Sequence, residues 1–213
     1  MIDELPTSGA LSYLLPLWSA DTGPAARPAT PPGATIVVTV EAVRDDDSIV
    51  ARLAAAGISL LGYVDLAYAT RPPAELRADV ARLAEAPLGG VFLDRAPTTP
   101  YAIGPVALAV RSARRAGLHT VLVNPGLPAD PVYDTLGAAM CTFEGTWSEY
   151  RRMPDHDFVP GGGHLVHGVP PGDLPVARKL MRRRRAPFGF ATDRRTPGPY
   201  GLAVRRGALA ATR

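Results

Sequence analysis

Short apolar runs recur along the chain at 13–18, 35–40, 59–64, 90–93, 120–123, 139–143, 164–167 and 188–191, each bounded by glycine, proline or small polar residues. The runs are continuous, with no alternation of polar and apolar positions, as in strands whose two faces are both covered. Between most of them lie helical patterns. Segment 48–57 follows an Asp-rich stretch and stops at Gly57; segment 73–85 opens on a proline and lines Leu76, Val80 and Leu83 along one stripe; 106–117 repeats the same order of signals. Segments 130–136, 148–152 and 173–184 are shorter or weaker helical candidates. Strand and helix alternating in this way predict a compact α/β chain of the TIM type, a (β/α)8 barrel. A doubly wound open sheet is the rival arrangement. The barrel is expected over residues 13–204, with tails at 1–12 and 205–213. A chain of 213 residues sits near the lower end of the roughly 200 to over 400 residues usual for this fold, so some outer helices should be short or missing.

Composition changes the picture in one respect. The chain holds 21 glycines and 23 prolines, well above the average of about 12% for the two together, but below the roughly 25–30% of low-complexity chains. With 46% apolar and 20% charged residues the chain is of globular type, and the excess reads as punctuation between short elements. No apolar stretch approaches the roughly 20 residues that span a bilayer. Asp3 and Glu4 stand where a secretory leader would carry Lys or Arg, so a cytoplasmic location is expected. The single cysteine, Cys141, falls inside an apolar run and is expected to pack as a small hydrophobe.

The net charge of +3 is unevenly spread, with one dense run at Lys179 and Arg182 to Arg185 and another at Arg111, Arg114 and Arg115. Both fall near the ends of helical segments, where cations complement the helix dipole, so a solvated face is the expected reading. No aromatics interleave with these runs, which argues against a nucleic-acid partner.

In a TIM-type barrel the chemistry lies at the C-terminal ends of the strands. Trp18 follows the first apolar run, Asp65 the third, Asp94 the fourth, Asn124 the fifth and Glu144 the sixth; His167 closes the seventh and Asp193 follows the eighth. Any one of these alone reads as a turn residue or a helix cap. Asp94 and Glu144 together are a pair of carboxyl groups able to flank a glycosidic bond, one protonating the leaving oxygen and one acting as nucleophile or activating water. Trp18, Tyr63, Tyr68, Tyr101, Trp147 and Tyr200 lie at or just past the run ends, where flat rings can stack on sugar faces; Tyr63 reads equally as core. His164 and His167, three apart in one strand, should face opposite sides and not share a metal. Gly161 to Gly163 precedes a strand and so is not a phosphate loop, and no Gly-x-Ser-x-Gly elbow occurs. No cofactor or metal is expected.

Gly62-Tyr-Val-Asp-Leu-Ala-Tyr-Ala-Thr-Arg71, Gly90-Val-Phe-Leu-Asp-Arg95, Val123-Asn-Pro-Gly126, Thr142-Phe-Glu-Gly-Thr-Trp147 with Tyr150, and His164-Leu-Val-His-Gly-Val-Pro170 together resemble the spherulation-specific family 4 proteins, over about residues 13–204. The resemblance implies a (β/α)8 barrel and a glycoside hydrolase of the kind that cuts galactosamine-containing α-1,4-linked polysaccharide. By position, Asp94 and Glu144 match the family's acidic residues on the fourth and sixth strands, whereas the acid that follows Asp94 in the family is Arg95 here. That cation is expected either to hold the Asp94 carboxyl ionised, as suits a nucleophile, or to mark the loss of the proton donor.

Three function classes are in play. One is a hydrolase acting on a galactosamine-type oligo- or polysaccharide with Asp94 and Glu144 as the catalytic pair and Trp18, Tyr63, Asp65, Arg95, Tyr101, Asn124, Trp147, His167 and Asp193 binding substrate. The other is a non-catalytic barrel that binds a saccharide or another small polar ligand. A third, weaker class is nucleic-acid association through Arg182 to Arg185.

Overall fold

The computed structural model describes residues 12–17, 35–40 and 47–195. Trp18 and Tyr200 lie outside the described residues. Eight strands, β1 (Ser12–Leu17), β2 (Thr35–Val38), β3 (Ser59–Asp65), β4 (Gly90–Asp94), β5 (Thr120–Val123), β6 (Ala139–Thr146), β7 (Gly163–His167) and β8 (Phe188–Ala191), pair in chain order and all in parallel. β1 also meets β8, at Ser12↔Phe188 and Tyr13↔Gly189. Strand order that follows chain order throughout has no switch point, which removes the doubly wound sheet. The fold is α/β, its parallel sheet curled as in a TIM-like barrel.

Helices α1 (Asp47–Ala55), α2 (Pro73–Leu83), α3 (Ile103–Arg115), α4 (Trp147–Arg152) and α5 (Leu174–Arg183) lie in the connections. Some of them are short, as the chain length predicts. α4 has only six residues, and between β5 and β6 the expected helix is a 3-10 segment, Pro131–Leu136. Arg114 of α3 donates to the carbonyls of Leu136 and Gly137 at the end of that segment, at 2.8 and 2.7 Å. This arginine therefore serves as a cap.

Side chains alternate across the strands. Val37, Leu61, Phe92, Leu122, Cys141, Leu165 and Phe188 form the inner cluster, with Cys141 a buried core residue as expected. Ile36, Val38, Leu60, Val64, Val91, Leu93, Val121 and Val123 point outward onto Leu76, Val80 and Leu83 of α2 and Val106, Ala109, Val110 and Ala113 of α3. Apolar residues on both strand faces are what made the runs continuous in sequence.

β6 departs from this alternation. Cys141 pairs with Gly163, yet Phe143 pairs with His164, so two residues advance on β6 for one on β7. This bulge reverses the parity of the later positions in the strand. Phe143 joins the outer cluster with Tyr150, Phe158 and Val166, and Glu144 turns to the inner face that carries Asn124.

The arginine run at the end of α5 is not the uniformly solvated face expected. The Arg184 side chain is only 1% exposed. Its guanidinium lies 4.4 Å from the Tyr150 ring centroid and 4.1 Å from that of Phe158. It donates to Asp155 Oδ1 at 2.9 Å and to the carbonyls of Tyr150 and Met153 at 2.5 and 2.7 Å. A buried cation is tolerated where charge and hydrogen bonds are both met, and here they tie the β6–β7 connection to α5.

Candidate active site

The inner-face positions nearest the C-terminal ends of β3 to β6 are Tyr63, Asp65, Asp94, Asn124 and Glu144, brought to one mouth by the parity of each strand. Asn124 is 3% exposed and uses one nitrogen twice: Nδ2 donates to Asp94 Oδ1 at 2.7 Å and to Glu144 Oε2 at 2.6 Å. Its own Oδ1 accepts from the Gly126 N–H at 3.0 Å, which orients the amide with its NH2 toward the carboxyls. Gly126 has a left-handed backbone, φ +72°, and a Cβ there would stand 3.3 Å from Cβ of Glu144, so glycine answers both the turn and the close approach. From the other side the Tyr63 hydroxyl donates to Asp94 Oδ2 at 3.0 Å.

Burial pushes the Asp94 carboxyl above the usual aspartate range, and the donors from Asn124, the Arg95 backbone and Tyr63 offset this only in part. Burial next to Asp94 likewise drives the Tyr63 phenol upward. The expectation that Arg95 ionises Asp94 through its charge is therefore overturned. Arg95 turns its side chain away, donating Nε to Asp65 Oδ1 at 2.8 Å and Nη2 to Asp65 Oδ2. Burial works against ionisation of Asp65, but the Arg95 bonds and the Ala67 N–H more than compensate and hold that carboxyl below the usual range. Asp65 and Asp94, facing residues in the β3–β4 register, are thus set apart by their partners.

The remaining predicted site residues are more dispersed. His167 closes β7 on the inner face, 9% exposed, and burial lowers its pKa against the opposing pull of Glu149. His164 points outward, with Nδ1 bonded to the Tyr150 hydroxyl at 2.7 Å, so the two histidines do face opposite ways. Tyr101 is 98% exposed in the turn before α3, and Asp193 is exposed beyond β8. Trp147 is a correction. It starts α4 as a ring 5% exposed, packed in the outer cluster and donating Nε1 to Asp173 at 3.0 Å, so it presents no face for stacking. Thr146, the residue before it, caps the helix in a reciprocal bond with Glu149, and this Thr-x-x-Glu spacing, visible in the sequence, was the signal that a helix begins there.

A parallel α/β fold curled as in a TIM-like barrel, with two carboxyls joined at the C-terminal mouth, defines the class of architecture. The chain belongs to the spherulation-specific family 4, whose model matches residues 28–201. Among solved structures, the crystal structure of Aspergillus clavatus Sph3 in complex with GalNAc is similar at a TM-score of 0.68 and 20% identity, covering 90% of this chain and 92% of that one. That likeness is one of fold. No curated protein matches the chain.

Proposed function

We propose that the chain is a glycoside hydrolase acting on a galactosamine-type oligo- or polysaccharide, with Asp94 and Glu144 as its carboxyl pair. The observation that carries this is the shared Asn124 amide. Two bonds to one nitrogen, 2.7 and 2.6 Å long, keep Asp94 Oδ1 and Glu144 Oε2 close together, which supports the short separation of about 5–5.5 Å used when the second carboxylate attacks the sugar over the about 6.5–9.5 Å that leaves room for a water. The GalNAc bound by the structural relative supports an N-acetylated amino sugar as the substrate unit. We further read the curled sheet as a complete (β/α)8-type barrel whose β8–β1 seam spans the pairs Ser12↔Phe188 and Tyr13↔Gly189.

In this reading Asp94, whose carboxyl burial pushes above the usual aspartate range, gives its proton to the leaving glycosidic oxygen as the C–O bond breaks. Glu144 forms the bond to the anomeric carbon. Water then attacks that carbon, Asp94 takes the water's proton, and the Glu144 carboxylate leaves. Asn124 restrains both groups throughout. Asp94→Asn and Glu144→Gln are each expected to lower kcat at least 100-fold on N-acetylgalactosamine oligosaccharides while leaving the thermal unfolding cooperative. Turnover at the wild-type rate in both variants would exclude the pair. A second reading, a saccharide-binding barrel without turnover, is favoured by Arg95, which stands where the family's additional acid would be; saccharide binding by a wild type that never turns substrate over would establish it.

A further inference from the structure

Beside Asp94, at the exposed rim, a second constellation is assembled around Arg95. Among the described residues, the non-glycine residues with left-handed backbone are Ala67, Tyr68, Ala69 and Arg95, with φ of 44°, 54°, 69° and 50°, and Arg185 at the end of α5. All but Arg185 fall in the loops that leave β3 and β4. Such conformations persist where the surroundings over-determine them, and they concentrate at functional sites. Here the surroundings are explicit. Asp65 Oδ1 accepts the Ala67 N–H at 2.7 Å, the Tyr68 N–H donates to the Arg95 carbonyl at 2.7 Å, and Arg71 donates to the Asp65 carbonyl at 2.9 Å. The turn holds the Tyr68 ring 59% exposed, with the Arg95 guanidinium 5.8 Å from its centroid.

Asp65 takes up Nε and Nη2 of Arg95, and Nη1 has no partner among the described residues, on a side chain 47% exposed. The carboxylate balances the charge of the guanidinium but leaves those hydrogens as donors, and a guanidinium has no acceptor to offer. We propose that Arg95, fixed by Asp65 above Tyr68, is the specificity residue of a sugar subsite beside Asp94 that takes a sugar bearing an oxygen acceptor, an N-acyl carbonyl or a carboxylate, and rejects one bearing a free ammonium. This rests on the reading of the chain as a protein that acts on saccharides. A carbonyl or carboxylate oxygen accepts from Nη1, whereas an ammonium, itself only a donor, meets it donor to donor. The aromatic ring supplies an apolar surface for the sugar's C–H groups.

The test is a calorimetric titration in the Glu144→Gln background with three probes: N-acetylgalactosamine oligosaccharides, their de-N-acetylated counterparts and oligogalacturonates. The unaltered Arg95 background should bind one of the two acceptor-bearing series at least 10-fold tighter than the free amines, and whichever series is tighter identifies the acyl or the carboxylate group. Arg95→Gln should bring that ratio within threefold, Arg95→Glu should invert it, and Arg95→Lys should retain part of it. An unchanged ratio in Arg95→Gln, with its melting temperature unaltered, overturns the subsite. Wild-type turnover measured in parallel separates the two ideas: turnover with an unchanged ratio removes only the subsite, and a ratio that collapses as expected without turnover removes only the hydrolase. Absence of binding to all three probes, together with absence of wild-type turnover, removes both.

Discussion

A single nitrogen, Asn124 Nδ2, carries a bond to each of the two carboxyls, and at Asp94 the donors work against burial. Asp94 accepts only from groups that favour its ionised form, yet burial prevails and keeps it protonated into a higher pH range. Removing a donor should exaggerate this. Tyr63→Phe deletes the bond to Asp94 Oδ2, so the Asp94 carboxyl should move further up, shifting the alkaline limb of the kcat/KM–pH profile upward while lowering kcat about 10-fold. A limb that stays in place or moves down would mean that Tyr63 does not act through Asp94. At this scale the sequence was legible in part. Asp94, Asn124 and Glu144 are the polar residues that end apolar runs, and the structure does bring them together. The direction of Arg95 was not legible, because it is decided by Asp65, 30 positions away in the chain.

At the scale of elements, strand parity does most of the placing, and runs that are apolar on both faces do not display it in the sequence. The ends of β5 and β8 fall where the apolar runs end, whereas β6 continues to Thr146 through Glu144, which the sequence places beyond the strand. Nothing in Met140-Cys-Thr-Phe-Glu144 announces an extra residue, since the bulge shows only in the register against β7. Trp147 was misplaced for a related reason: the same Thr-x-x-Glu box that ends the strand run starts a helix and turns the ring into the outer layer. Gly126→Ala tests the coupling between an element end and the site. An added Cβ at φ +72°, against Cβ of Glu144, should cost about 1–2 kcal/mol of stability by denaturant titration. It should also lower kcat by more than that loss of folded protein explains, since it presses on Glu144. Equal losses in stability and in activity would place Gly126 outside the catalytic geometry.

For the whole molecule, the outer layer holds a titratable group that the site does not use. His164 is fully buried among Tyr150, Phe143 and Phe158, and burial, helped by the Arg184 charge, lowers its pKa from 6.5 to about 4. A depressed folded-state pKa means that the unfolded chain binds the proton first. The neutral histidine's contribution is therefore complete above pH 6.5 and is lost as pH falls toward about 4, to a total of about 3 kcal/mol. His167 acts with the same sign, and Asp94, raised by burial, with the opposite one. Urea titrations at intervals between pH 7 and 4 should show a slope that His164→Gln flattens; an identical slope in that variant would place the acid sensitivity elsewhere. The architecture at this scale was the most legible of all, because every connection returns the chain to a parallel neighbour and each buried strand leaves its own apolar run.

The bulge in β6 bears on any attempt to compare or transplant this site. A β6 aligned by hydrophobic alternation alone places Phe143 in the barrel and Glu144 against the helices, with the carboxylate on the wrong side of the wall. Grafting the site onto another parallel barrel therefore requires moving the one-residue insertion with the glutamate, as a single unit of design.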